Sequence, residues 1–362
     1  MKVALISGIF PPDIGGPATF IPRFASFLQS RNHEVKVLTL ADNLKNPVKN
    51  TFAVKRIRRS IPLPVRFWYV VVKVSLLPPK TAVFANGLHE EVGVSLFIRK
   101  RSSVAKIVGD PVWERARNNG DTDLTIIDFN QTKLKLKYKI QRILLVFSLN
   151  KFDNITCPSQ ELCEFVASWG VKKPISFIGN GVNVDLLPEE TDEEFDLICV
   201  SRLVPWKNID KHLEISAALN LKIAVVGSGP LESSLKEFAK KINCKATFFG
   251  ELDGQAVRSL LSKSRVFILL SNYEGMSFAL LEAMALGLPS IVSDIPANQE
   301  VVLNGVSGIV VNPMDWKKST KFLEELFHNN EKYQRFSNQA RKEVLEKFDE
   351  YEKFSSAESL LK

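Results

Sequence analysis

Residues 272–294 read NYEGMSFALLEAMALGLPSIVSD, and their punctuation decides the fold around them. Just before them, Val266–Leu270 is a short, bounded apolar run of the kind that makes a buried parallel strand. Ser290–Ser293 predicts the next strand. Between the two, Ser277 is placed to N-cap a helix over Phe278–Leu286, Gly287 to end it as the C′ residue, and Pro289 to forbid its continuation. Nearly every position of that helix is apolar, so it is expected to be buried on all sides.

Glu282 breaks the pattern. Its neighbours one turn away are Phe278, Ala279, Ala285 and Leu286, which leaves no solvated stripe for a charge. A carboxylate there needs a partner, in a structural ion pair, a capped loop amide or a ligand. Glu274 bears on the choice, because it lies in the loop at a strand's carboxyl end, where open α/β sheets bind ligands. Gly275-Met276-Ser277 then leads into a helix N-terminus whose free amides suit a phosphate. Two acids flanking an anion site suit a ligand with hydroxyls at both ends, such as a ribose and a hexose joined by a diphosphate.

In the setting EGMSFALLEAMA, Glu274 and Glu282 resemble the Glu-x7-Glu motif of retaining glycosyltransferases of family 4. The resemblance combines spacing, flanking glycine, apolar helix and Gly-Leu-Pro exit; Met276-Ser277 stands where the family more often has Phe-Gly. It implies an α/β chain of GT-B fold, with two Rossmann-like domains facing each other across a cleft. The N-terminal, acceptor-binding domain would span 1–180, joined by a returning C-terminal segment 348–362, and the donor-binding domain 181–347.

Length and composition agree with two such domains. The chain has 362 residues, 45% of them hydrophobic, with mean hydropathy near zero, as in a well-cored globular protein. Cys157, Cys163, Cys199 and Cys244 form no CxxC, so buried reduced thiols are expected. The start Met1-Lys2 runs into a strand, so no leader peptide is expected. No apolar run reaches about 18 residues, the length that spans a membrane. The net charge of +8 is uneven: residues 1–150 hold 24 Lys and Arg against 10 Asp and Glu, leaving 24 against 30 in the rest. A basic first half points to an anionic partner.

Val3–Ser7, the loop GIFPPDIGG (8–16), a helix from Pro17 to about Ser30, and Val35–Leu40 open a Rossmann-type unit. The spacing does not make GxGxxG. By resemblance, Gly15 and Gly16 lie near the donor phosphates; a turn that needs glycine torsions explains them equally. Lys55-Arg56-Ile57-Arg58-Arg59 precedes an aromatic and aliphatic helix over Ile61–Leu77, which fits contact with an anionic membrane surface or an ordinary core helix beside a solvated loop. Lys133, Lys135, Lys137 and Lys139 alternate with Leu, Leu and Tyr, as a basic surface helix or an edge strand would. No module with interleaved aromatics for base stacking is present, so no nucleic acid is expected. Asp110, after the strand Val104–Val108, is a candidate for binding a sugar hydroxyl, orienting the acceptor, or turning the chain before Pro111. Asp121-Thr122-Asp123 spells DxD within the polar loop RNNGDTD, and no metal is assigned to it. Gly179–Asn183 resembles the family's inter-domain crossover.

In the second half a charged spacer, Pro188–Glu194, precedes the strand Phe195–Val200. Arg202 and Lys207 follow, five residues apart, and suit a diphosphate; they resemble the family's Gly-Arg-x4-Lys motif, with Ser201 in place of glycine. Gly227-Ser228-Gly229 lacks a third glycine where Glu232 stands, so a nicotinamide cofactor is not expected. By resemblance, the nucleobase lies near Gly250-Glu251-Leu252.

The resemblance implies hexosyl transfer from a nucleotide-diphosphate sugar to a glycan acceptor, lipid-linked in view of the basic first half, at the cytoplasmic face of a membrane. Arg202, Lys207 and the amides of Gly275, Met276, Ser277 and Phe278 would stabilise the leaving diphosphate without a divalent ion, so no cofactor is expected. Glu282 would hold ribose hydroxyls and Glu274 the hydroxyls of the sugar ring; Asp110, Gly16 and Leu252 complete the candidate set. The alternatives are a GT-B-fold nucleotide-sugar epimerase and a degenerate nucleotide-binding scaffold.

Overall fold

A computed structural model describes residues 1–44, 50–185 and 192–362. Of the charged spacer 188–194, residues 188–191 lie outside the described residues. The chain divides into unit 1, Met1–Gly179 with Tyr351–Lys362, and unit 2, Asn180–Glu350.

Unit 1 holds seven parallel strands: Lys2–Ser7 (β1), Glu34–Ala41 (β2), Ala53–Arg58 (β3), Thr81–Asn86 (β4), Ser103–Lys106 (β5), Asn154–Cys157 (β6) and Ile175–Phe177 (β7), in the order β3-β2-β1-β4-β5-β6-β7. The chain begins in the middle of the sheet, winds out to β3, then reverses across β1. Loops from β1 and β4 therefore diverge at the carboxyl edge, which is the topological switch point.

Inward-facing aromatics fill one face. Phe354, from the returning helix Glu350–Ser359, lies 5.3–5.5 Å by ring centroid from Phe20, Phe24 and Phe27 of the helix Gly16–Ser30. Edge-on and tilted contacts of this kind each add about 0.5–1.5 kcal/mol beyond the area they bury. Glu358 fixes the same helix by accepting from His33 at 2.8 Å and pairing with Arg31 at 3.4 Å.

The basic cluster at residues 55–59 is not a loop. Lys55–Arg58 lie in β3, the edge strand, where exposed charges guard an open edge against pairing with other chains. Arg56 donates to the Pro11 carbonyl at 2.6 Å and Arg59 pairs with Asp13 at 2.5 Å, so two of these cations hold the 8–16 loop. The helix that follows runs Leu63–Ser75. The alternating lysines straddle the start of another, Leu136–Leu149, with Lys133 and Lys135 before it and Lys137 and Lys139 within it, so that stretch is no edge strand.

Unit 2 repeats the plan with six parallel strands: Phe195–Val200 (β8), Lys222–Val226 (β9), Lys245–Gly250 (β10), Ser264–Leu269 (β11), Ser290–Ser293 (β12) and Gly308–Val311 (β13), ordered β10-β9-β8-β11-β12-β13. Its switch point lies between β8 and β11. Both faces are covered: Ile198, Phe267, Leu280, Leu281 and Val292 share one core, and Leu197, Val266, Ile268, Ile291 and Leu323 the other. The helix expected after Ser277 runs Phe278–Ala285; Ser277 caps it by accepting from the Leu280 amide at 3.2 Å, and Gly287 ends it at φ 84°. No helix among the described residues is long and apolar enough to cross a membrane.

Candidate active site

The switch point of unit 2 gathers the residues that the sequence nominated there. After β8 the chain makes a short 3₁₀ turn, Pro205–Lys207, and Asn208 follows with φ 50°, a left-handed backbone. That turn aims Lys207 at the loop after β11, where its ammonium pairs closely with Glu274. Ser271 donates to the same carboxylate at 2.6 Å. Glu274 is 8% exposed and Glu282 6%, so both acids sit in low dielectric, where a charge is costly without partners.

The two loops are tied along their length. Asn208 donates from Nδ2 to the Leu270 carbonyl and to Asn272 Oδ1, each at 2.7 Å, and the Asn272 amide donates to the Trp206 carbonyl at 2.8 Å. Below them His212 is fully buried and accepts the Leu270 amide at Nε2, 3.0 Å away. Burial, then the nearby Lys207 charge, pushes its pKa down to about 3. The imidazole is thus a neutral acceptor that fixes the end of β11.

Arg202 projects outward at the mouth and is exposed, as a residue that grips an incoming anion must be. Its loop rests on Gly227, with φ 122°: a Cβ there would run into the Ser201 carbonyl oxygen, and one on Gly229 into that of Leu203. The second glycine pair is therefore a seat for the Arg202 loop. Ser228 donates to Glu251 at 2.5 Å, so the loops after β9 and β10, with Leu252, join the same rim. Asn180 donates to the Met276 carbonyl at 2.9 Å and holds the loop that leads to the helix amides. Gly275, Ser277 and Phe278 are partly exposed at that N-terminus.

In unit 1, Gly15 is the N-cap of the first helix and Gly16 its first residue. Asp110 is fully buried at the N-terminus of the helix Pro111–Asn118. Oδ1 accepts from the Val112 and Trp113 amides at 3.0 and 3.2 Å; Oδ2 accepts from Arg142 at 2.5 Å and Asn130 at 3.2 Å. Arg142 stacks 4.0 Å above the Trp169 ring, whose Nε1 donates to Asn130 at 2.8 Å. Both oxygens of Asp110 are thus engaged by its own unit. The DxD acids are also engaged: Asp121 with Tyr138, Lys135 and Lys137, Asp123 with Arg117. No cluster of metal-ligating side chains occurs among the described residues.

Ser271, Asn208 and His212 escaped the sequence reading. Asn208 and His212 act across the β8–β11 junction, Ser271 acts within its own loop, and none belongs to a recognisable local pattern.

The UDP-glucose complex of HepE from Anabaena superposes on this chain with a TM-score of 0.80, covering 99% of both chains at 17% identity. The chain has the GT-B fold. On this GT-B chain, residues 188–343 match the family model "Glycosyl transferases group 1". An uncharacterized glycosyltransferase of Methanocaldococcus jannaschii is 28% identical over 59% of this chain, and the O-antigen chain mannosyltransferase RfbU of Salmonella typhimurium is 31% identical over 51%. The matched stretches span 61% and 55% of those two relatives.

Proposed function

We propose that this chain is a retaining glycosyltransferase of family 4 that moves a hexose-type sugar from a nucleotide-diphosphate sugar to a lipid-linked glycan acceptor. The observation that carries the reading is the switch-point cluster of unit 2: exposed Arg202, the Lys207–Glu274 pair, the capped helix N-terminus, and buried Glu282 further along that same helix. The group 1 family match over this unit and the named glycosyltransferase relatives support it.

As the bond from sugar to diphosphate breaks, negative charge collects on the leaving phosphates. Arg202 can fork onto their oxygens, Lys207 can turn to them from Glu274, and the amides at 275–278 lie at the positive end of a helix dipole. The amides are fixed before reaction, and together these donors can carry the leaving charge without a divalent ion. Glu274 then faces the sugar hydroxyls and Glu282 those of the ribose. A donor phosphate oxygen takes the acceptor's proton on the same face, so no protein base is needed. Asp110, with both oxygens engaged, serves as a positioning residue for its loop.

Two outward apolar stripes of unit 1 support a lipid-linked acceptor and peripheral attachment to the cytoplasmic face of a membrane. Val65, Trp68 and Val72 are exposed along the helix Leu63–Ser75, and Ile140, Ile143 and Phe147 along Leu136–Leu149. Both sets follow the spacing of one helix face, and lysines at 133–139 flank the second.

The test is a product assay in EDTA, pairing a panel of UDP- and GDP-sugars with lipid-linked acceptors and with their soluble headgroups. The expected product keeps the donor's anomeric configuration and forms fastest on the lipid-linked acceptor. Inverted configuration, or turnover only with added metal, would contradict the mechanism; equal turnover on soluble headgroups would contradict the lipid acceptor.

A further inference from the structure

A pocket of about 450 Å³ opens at the amino edge of the unit 1 sheet, walled by Lys80, Thr81, Arg99, Lys100, Arg101 and Ser102. Thr81 begins β4 and Ser103 begins β5. The pocket is therefore a strand length, roughly 17–20 Å, from the carboxyl edge where Asn86 and Gly87 lie.

Its charge is one-sided. Four cations wall it and no acid does. Lys80, Arg99 and Lys100 are exposed and carry no ion pair among the described residues. Arg101 is buried and donates to the Ser75, Leu77 and Pro78 carbonyls at 3.0, 2.6 and 2.7 Å. It closes the end of the helix Leu63–Ser75 and forms the floor of the pocket. A helix C-terminus favours one nearby cation; it does not call for three more around a hollow, where like charges raise one another's cost.

Two further features point to a ligand. Thr81 is 4% exposed, yet its hydroxyl has no hydrogen-bond partner among the described residues, and a buried group left unsatisfied is costly. Lys80, which lines the pocket, holds φ at 60°, a backbone conformation that side-chain-bearing residues seldom adopt. A tetrahedral oxyanion answers both charge and hydroxyl, since phosphate accepts from guanidinium, ammonium and O–H together.

We propose that this pocket is a second anion site of the protein, separate from the donor loops of unit 2, and that it binds a phosphate group. The apolar residues beside it favour a phosphate carried by a lipid: Leu76 is 71% exposed, Phe97 68% and Ile98 60%, each next to the pocket's cationic segments in sequence. Apolar side chains flanking a basic pocket match a headgroup phosphate with acyl chains behind it.

The site is tested with inorganic pyrophosphate, titrated calorimetrically into Arg202→Ala protein, in which the donor loops are weakened, and into the same protein carrying Arg99→Gln and Lys100→Gln. Both added substitutions fall on exposed side chains, so the fold is expected to persist, with nucleotide binding by the Arg99→Gln, Lys100→Gln protein at the wild-type level. Pyrophosphate affinity should fall at least about tenfold, since a hydrogen bond to a charged group contributes about 1.5–3 kcal/mol. Unchanged affinity would overturn the site.

Flotation with phosphatidylcholine vesicles, with and without phosphatidic acid, identifies the source. A lipid phosphate predicts that phosphatidic acid increases binding, and that Leu76→Ser with Phe97→Ser removes this gain while pyrophosphate binding stays. If phosphatidic acid adds nothing while pyrophosphate still binds, the site stands and the lipid source is overturned in favour of a soluble phosphate compound.

Discussion

Glu274→Gln is expected to lower kcat/KM for glycosyl transfer about 10²–10³-fold, the range seen when one preorganised polar contact to a transition state is removed, while nucleotide affinity holds or rises. The direction follows from the ion pair. Glu274 pairs with Lys207; the amide keeps a hydrogen-bond acceptor for Ser271 but no longer competes with a diphosphate for the ammonium. Lys207→Ala should reduce turnover and nucleotide affinity together, because it removes the cation itself and strands the buried Glu274 charge. Melting temperatures must accompany these assays, since removing one partner of a buried pair costs about 3–5 kcal/mol. If Glu274→Gln turns over within threefold of the unaltered protein, Glu274 does not face the transferred sugar.

The second large effect concerns stability. Asp110→Ala removes the cap of the helix Pro111–Asn118 and leaves Arg142 buried against Trp169 without its carboxylate. Burial already disfavours the Arg142 cation, and the Asp110 charge opposes that shift. The expected loss is about 3–5 kcal/mol for the stranded charge and a further ~1 kcal/mol for the cap, read as a lower urea midpoint with an unchanged m-value. Asp110→Asn retains oxygen and amide hydrogen bonding and should cost much less. A wild-type midpoint for Asp110→Ala would contradict the positioning role, and so would full stability with abolished turnover, which would make Asp110 a contact of the substrate.

What could be read from the sequence was local chemistry. Ser277, Gly287 and Pro289 start, end and block one helix within a dozen residues, and the helix formed where they placed it. The α/β alternation gave Rossmann-type units for the same reason, since short apolar runs between glycine-marked turns suit buried strands, while the GT-B class came from the resemblance around Glu274 and Glu282. The pairing of Lys207 with Glu274 was not legible, because the partners are 67 residues apart and meet only once β8 and β11 lie side by side. His212 was hidden likewise; on its own helix it is one polar residue on an apolar face, and its role depends on the Leu270 amide. The edge strand β3 was misread because its cations mask the apolar residues Val54 and Ile57. Asp110-Pro111 announced a turn, but Arg142, 32 residues later, decides that both carboxylate oxygens are engaged.

The central claim is that unit 2 binds a nucleoside diphosphate at Arg202 and Glu282 without metal. Titration of UDP, GDP and ADP in EDTA, into the unaltered protein, Arg202→Ala and Glu282→Ala, tests it most directly. One nucleotide should bind, and each substitution should weaken it about tenfold or more. Absence of binding by the folded protein with every nucleotide, with or without magnesium, or a wild-type affinity in both variants, would contradict the account.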